Sequence, residues 1–353
     1  MPKGKILVAV LNWGLGHATR CIPVIRQLQH FDFQPIIASD GKALEFLKEE
    51  FPDMKYYKLT SLQFSYSKNS GLNQIYLLGR SIFWNNQLQK DKLLIEKIHQ
   101  QEKLAGIISD SRPYCYHENI PSVYLTHQLQ VKSGVFSKIA TAAHRQLICN
   151  FDECWVPDVE QPNALCGEMS QWENAPLPIR NICILSDLQT QQTNQKYDYA
   201  GIISGAEPER SKLEQQLIES FSQLEGKKII IAGNKETNDR WISTDLEIKG
   251  LANRAEVQRI INSTNKIVAR GGYSTMMDLL QLRKSALLIP TPGQTEQLYL
   301  TQHLKQLEYF DVVSQDKLSA ERIVQFEIDE YRLDHVAFAG LDLSKVYGLF
   351  ERK

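Results

Sequence analysis

Short apolar runs recur along the chain, separated by stretches in which apolar positions repeat at helical spacing. Residues 5–11 are almost unbroken in apolar character, which at that length and with polar flanks predicts a central parallel strand. From residue 17 to 29, Ile22, Ile25 and Leu28 fall on one face of a helix. Residues 35–39, 105–109, 122–126 and 154–157 continue the strand series. The pattern then breaks at QTQQTNQ, beginning at Gln189, which holds no apolar residue and reads as a linker. A second series follows, with strands predicted at 199–204, 228–232, 266–269 and 286–290 and helices at 211–224, 255–261, 274–282 and 296–307. Such alternation predicts parallel sheets covered by helices on both faces. We therefore expect two facing doubly wound, Rossmann-like α/β domains with an interdomain cleft. They comprise an N-terminal domain over 1–188, a linker over 189–196 and a C-terminal domain over 197–353 whose last helix packs back on the N-terminal domain. In such sheets ligands sit outside the carboxyl ends of the strands.

A length of 353 residues exceeds what one core usually serves, in keeping with two domains. Forty basic and 41 acidic side chains leave a net charge of −1, so no nucleic-acid partner is expected. Between residues 65 and 150, however, ten Lys/Arg stand against five Asp/Glu, a local excess of +5. Within that stretch Lys132, Lys138 and Arg145 interleave with Val135, Phe136 and Ile139, and no acidic residue occurs between Thr126 and Gln146. Two readings of this segment stay open: a surface resting on an anionic membrane, or a core-packed helix with a solvated basic face. The six cysteines stand singly with no C-x-x-C pair, which argues against structural zinc and disulfides and for a reducing compartment. No run approaches the ~20 apolar residues of a spanning helix and the start lacks a signal-peptide pattern. A cytoplasmic protein is expected, with peripheral contact at the inner face of the membrane left open.

Three stretches carry candidate chemistry. In NWGLGHATR, Gly14 and Gly16 let the backbone turn tightly after the first strand, and His17 opens a helix. In ARGGYSTMMD, Gly271 and Gly272 end a strand and Ser274 opens a helix. The N–H groups there and the Ser274 and Thr275 hydroxyls suit a diphosphate. Asp278 lies four residues beyond Ser274 on the same side, where a carboxylate accepts both hydroxyls of a ribose. In PTPGQTEQ, Glu296 and Gln297 offer an acceptor pair and an amide to a polyhydroxylated ligand. Each stretch also has a plainer reading, as a tight βα turn, as packing glycines beside an exposed Asp, or as a capped helix. Arg210 and Arg270 are candidate cations for a leaving group. His17, with an ordinary pKa near 6.5, suits proton abstraction at neutral pH.

Together these motifs resemble the MurG-like members of glycosyltransferase family 28, which have GT-B architecture. NWGLGHATR is similar to their first glycine-rich loop with its histidine. VYLTHQLQ, with His127 and Gln128, resembles their His-Glu-Gln loop in the acceptor domain. RGGYSTMMDL resembles the donor motif whose helix bears the ribose-binding acid, and PTPGQTEQ the loop that touches the donor sugar. The sequence departs from that pattern at Leu298, where a second glutamine is usual, at Asp278, where Glu is usual, and in IISGAEPERSKL, which lacks a glycine-dense loop. The resemblance implies metal-independent, inverting transfer from a UDP-sugar to an acceptor hydroxyl, with no cofactor. It implies His17 as catalytic base, Gly14, Gly16, His127 and Gln128 on the acceptor, and Gly271, Gly272, Ser274, Thr275, Asp278, Glu296, Gln297 and Arg210 on the donor. No Asp-x-Asp pair occurs for a metal. The acceptor is unassigned, a lipid-linked molecule being one option. A nucleotide-sugar 2-epimerase and a non-catalytic nucleotide-sugar-binding subunit are the alternatives; the latter would bind donor without releasing nucleotide.

Overall fold

The structure, a computed structural model, describes residues 2–61, 89–160, 162–327 and 344–351. The first part of the basic stretch, residues 65–88, lies outside them. Two compact units divide the described residues, one holding those up to 186 with 344–351, the other those from 187 to 327.

In the first unit the strands are β1 (Gly4–Val10), β2 (Phe33–Ser39), β3 (Tyr56–Lys58), β4 (Leu104–Asp110), β5 (Ser122–Leu125), β6 (Glu153–Val156) and β7 (Ile179–Asn181). They pair in parallel in the order β3-β2-β1-β4-β5-β6-β7. Ile6 to Val10 are wholly buried, as the unbroken apolar run of a strand covered on both faces requires. Helix α1 (Gly16–His30) buries Ile22, Ile25 and Leu28 as its periodicity dictates, and α2 (Gly41–Glu50), α3 (residues 89–102) and α4 (Ser137–Ile148) follow.

The chain returns to this unit at its end. Tyr347 and Phe350 pack edge-on or tilted against Phe33 and Trp155, with ring centroids 5.9–6.3 Å apart, and the Tyr347 hydroxyl donates to the Val24 carbonyl at 3.2 Å. Phe350 explains a glycine inside β4: a Cβ on Gly106 would stand 2.2 Å from the Phe350 ring. Gly106→Ala is therefore expected to destabilise the protein by roughly 1–3 kcal/mol through overpacking. In urea unfolding the penalty should shrink in a Phe350→Ala background; equal penalties in both backgrounds would refute the contact.

In the second unit the strands are β8 (Tyr197–Ile202), β9 (Lys228–Ile231), β10 (Arg240–Ser243), β11 (Leu246–Lys249), β12 (Thr264–Arg270), β13 (Leu287–Ile289) and β14 (Asp311–Val312), in the order β10-β11-β9-β8-β12-β13-β14. Only β10 runs antiparallel to its neighbour. The helices are α5 (Glu209–Phe221), α6 (Arg254–Asn262), α7 (Tyr273–Gln281), α8 (Thr295–Gln306) and α9 (Ala320–Gln325). The polar segment after residue 188 has no regular structure, and its polarity docks it on α6. The Gln189 and Gln191 amides donate to Gln258 Oε1 and Asn262 Oδ1 at 2.8 and 3.1 Å, and Asn262 Nδ2 donates back to the Gln189 carbonyl at 3.0 Å.

Both sheets are doubly wound. The strand order reverses between β1 and β4 in the first unit and between β8 and β12 in the second, and such switch points open a crevice at the carboxyl ends of the strands. Among the described residues no helix is long and apolar enough to cross a membrane.

Candidate active site

At the first switch point, β1 runs into the glycine turn and α1, while Asp110 ends the neighbouring β4. Gly14 has φ 71°, a left-handed conformation that favours glycine. No side chain caps α1. The His17 ring turns instead to Asp110, its Nδ1 3.0 Å from Oδ2. One turn later on α1, Arg20 donates from Nε to Asp110 Oδ1 at 3.1 Å and from Nη2 to the same oxygen. Its Nη1 lies 3.2 Å from His127 Nδ1, and Nη2 lies 3.2 Å from Ser111 Oγ. Arg20, Asp110 and His127 are buried, whereas the His17 side chain keeps 17% of its surface exposed.

Burial alone would raise the Asp110 pKa, but Arg20 and His17 hold the carboxyl down to about 2. Burial first and Arg20 second lower the His17 pKa from 6.5, against the upward pull of Asp110. The imidazole is therefore neutral at neutral pH, the form a general base needs. His17 Nδ1 stands between groups of opposite demand, the Asp110 carboxylate, which only accepts, and Arg20 Nη2 at 2.9 Å, which only donates. The structure thus brings His17 and His127 together through Arg20. Gln128 follows His127 and donates its amide to Thr126 Oγ1 at 3.1 Å. Arg20, Asp110 and Ser111 were not among the residues expected from the sequence.

The basic segment leads into α4, which packs one face on the core through Ile148 and His144, the latter 5.7 Å from the Tyr124 ring. Ile148 is the buried residue of α4, while Val135 and Ile139 are 90% and 69% exposed. Two of its three cations are engaged within the protein: Lys132 pairs with Glu168 at 3.0 Å, and Arg145 covers the Trp172 ring and donates to the Leu129 and Gln171 carbonyls.

At the second switch point, Gly272 rather than Ser274 is the N-cap of α7, with Ser274 and Thr275 in its first turn. Gly271 serves packing: a Cβ there would stand 2.6 Å from the Thr301 methyl. At Gly272 a Cβ would meet nothing nearer than the Ser204 and Thr275 hydroxyls at 3.7 and 3.8 Å, so bare backbone lies beside hydroxyl groups. Thr291, after β13, adds a buried Oγ1 with no hydrogen-bond partner, 3.8 Å from where a Cβ on Gly205 would lie. Gln297 holds this loop by accepting the Thr291 amide on Oε1 at 2.8 Å, and Glu296 lies beside it in the first turn of α8.

The remaining candidates make contacts within the protein that the sequence does not predict. Asp278, expected on a ribose, forms a two-pronged ion pair with Arg254 at 2.7 and 2.8 Å, and Arg254 Nε also donates to Asp187 Oδ1 at 2.8 Å. A capping box between Asn253 and Glu256 sets Arg254 at the start of α6. Arg210 is taken up by Glu207 at 2.6 Å, Glu214 at 3.0 Å and the Ala232 carbonyl. Arg270 is fully buried and clamps loops, donating to the Glu209 carbonyl and Gln315 Oε1, each at 2.9 Å; burial lowers its pKa to about 10. Among the described residues no three His, Cys, Asp or Glu side chains converge as a metal site.

Residues 209–329, within the second unit, match the family model described as glycosyl transferase family 1. An uncharacterised glycosyltransferase of Methanopyrus kandleri is 20% identical over 325 residues, 85% of this chain and 89% of the relative. Among solved structures, UGT89C1 of Arabidopsis thaliana, complexed with UDP-L-rhamnose, matches over 99% of each chain with a TM-score of 0.66 at 12% identity. MurG of Acinetobacter baumannii matches over 92% of this chain and 89% of its own with a TM-score of 0.53 at 14% identity. The fold is that of the GT-B glycosyltransferases. The GT-B assignment agrees with the two doubly wound sheets, and the family model that matches is family 1, whereas the motif resemblance is to family 28.

Proposed function

We propose that the protein transfers a sugar from a UDP-sugar to an acceptor hydroxyl by a single inverting displacement without a metal. The observation that carries this reading is the His17–Asp110 pair at a GT-B switch point, with an imidazole that burial and Arg20 keep neutral; in this reading Nδ1 gives its hydrogen to Asp110, which leaves the lone pair on Nε2. In the proposed step, Nε2 takes the proton of the acceptor hydroxyl while the hydroxyl oxygen bonds to the anomeric carbon. The bond from that carbon to the diphosphate oxygen breaks, and UDP leaves with the electron pair. Because one displacement occurs, the anomeric centre inverts. The amino end of α7, with its partial positive charge and the Ser274 and Thr275 hydroxyls, supports the leaving diphosphate. Asp278, oriented by Arg254, accepts the ribose hydroxyls, and Glu296 and Gln297 meet the sugar. Gly14, Gly16, His127 and Gln128 hold the acceptor.

A thermal-shift panel of nucleotides tests the donor assignment. Uridine diphosphate and its sugars are expected to raise the melting temperature, a ligand at a hundred times its dissociation constant adding ~2.7 kcal/mol. In calorimetry Asp278→Asn should weaken UDP binding by about 1.5–3 kcal/mol, the worth of hydrogen bonds to a charged group. Stabilisation by other nucleotides but not by uridine nucleotides overturns the donor, and unchanged affinity in the variant removes Asp278 from the site.

A further inference from the structure

Arg20 lies inside α1, one turn beyond His17, and is 2% exposed. A guanidinium only donates hydrogen bonds, and each terminal nitrogen has two hydrogens to give. Here Nε and one Nη2 hydrogen go to Asp110 Oδ1, the other Nη2 hydrogen to Ser111 Oγ, and Nη1 to His127 Nδ1. Nη2 also lies 2.9 Å from His17 Nδ1, nearer than Ser111 Oγ; with the hydroxyl as the acceptor of that second hydrogen, His17 is free to donate rather than accept. The Nδ1 hydrogen is left to Asp110 Oδ2, which has the weak Cys21 thiol, 3.5 Å away, as a further donor.

The two histidines consequently meet opposite demands. His17 faces an acceptor, carries its hydrogen on Nδ1 and keeps Nε2 as a lone pair. His127 faces a donor, accepts on Nδ1 and carries its hydrogen on Nε2. The charge of Asp110 is met by the charge of Arg20 in the same contact. We propose that Arg20 is the positioning residue of this site: it cancels the charge of Asp110 and fixes opposite tautomers on His17 and His127. This rests on the reading of His17 as the base, and it deepens that reading by naming what keeps the base unprotonated.

The groups facing His17 are Arg20 from α1, Asp110 and Ser111 from the end of β4, and His127 from the loop after β5. Of these, Arg20 and His127 disfavour a charged imidazole and Asp110 favours one. Without Arg20 the carboxylate acts unopposed by that cation, so the His17 midpoint must rise.

The test is a long-range ¹H–¹⁵N NMR titration of the imidazoles in the full chain, assigned with His17→Gln and His127→Gln. Wild-type protein should show His17 with its hydrogen on Nδ1 and His127 with its hydrogen on Nε2. Arg20→Gln should move the His17 midpoint up, and the acid limb of kcat/KM should move with it. Arg20→Lys keeps a cation and loses the fork, so it should hold the His17 midpoint near the wild-type value while releasing the His127 tautomer. A folded Arg20→Gln protein with an unmoved His17 midpoint overturns the proposal. If that variant does not fold, the reversed tautomer pattern in wild-type protein overturns it by itself. The spectra need no substrate, so failure of the transferase reading appears separately, as wild-type protein with the expected spectra and no sugar transfer.

Discussion

Replacing His17 by alanine is expected to lower the turnover of sugar transfer by ~10²–10⁴-fold, the usual worth of a general base, with little change in affinity for UDP. The donor candidates all lie in the second unit, so removing an imidazole from the first leaves nucleotide binding intact. A packing role for His17 makes a different forecast, because a cap or core histidine costs stability and activity then falls only with the folded fraction. Here the ring caps nothing and keeps part of its surface exposed, so the melting temperature should shift little. Melting curves and single-turnover transfer on the same preparation decide the matter, and a stable variant with near wild-type transfer ends the assignment. The wild-type pH profile offers a second check. Burial and Arg20 lower the His17 pKa, so kcat/KM should be level through neutrality and decline only as pH falls through a midpoint below the ordinary 6.5.

The parts of this site that local pattern makes visible are those whose structural cause is local. An apolar run, a glycine turn and a helical period specify β1, Gly14 and α1, and so bring His17 to the carboxyl end of a strand. Nothing local marks Asp110, whose contact with His17 spans 93 residues of sequence; at the end of LAGIISD it reads as the polar terminus of a buried strand. Arg20 hides for a related reason, since a charge within a helix ordinarily points to solvent, and only the long-range partner explains its burial. Gly271 shows the converse, a glycine whose motif suggests a ligand and whose nearest neighbour is the Thr301 methyl. Asp278 was visible by spacing, but its ion pair with Arg254 was not, because it joins the starts and faces of two helices 24 residues apart. The exposed strand β10 escaped notice because all four of its residues face solvent and carry no burial pattern.

Asp110→Asn should cost transfer as much as the loss of the base, on the order of 10²–10⁴-fold, while leaving His17 in place. An asparagine amide turned toward His17 donates where the carboxylate accepted, so the imidazole hydrogen moves to Nε2 and the lone pair needed by the acceptor hydroxyl is lost. The same change leaves the buried Arg20 charge without its partner, which is strongly destabilising in a low-dielectric site. The pH dependence of stability separates this from a generic packing defect. Against the opposing effect of burial, Arg20 and His17 hold the folded Asp110 pKa at about 2, below the ordinary 3.8. A depressed carboxyl contributes stability that is present above its unfolded pKa and is lost as pH falls through the folded one. Wild-type protein should therefore exceed Asp110→Asn by a constant margin near neutrality, of which about 2 kcal/mol belongs to this linkage. The margin should narrow between pH 3.8 and about 2. Chemical denaturation of both proteins across that range measures it, and a gap that stays constant down to the lower limit would show that Asp110 is not held as a charged partner of Arg20 and His17.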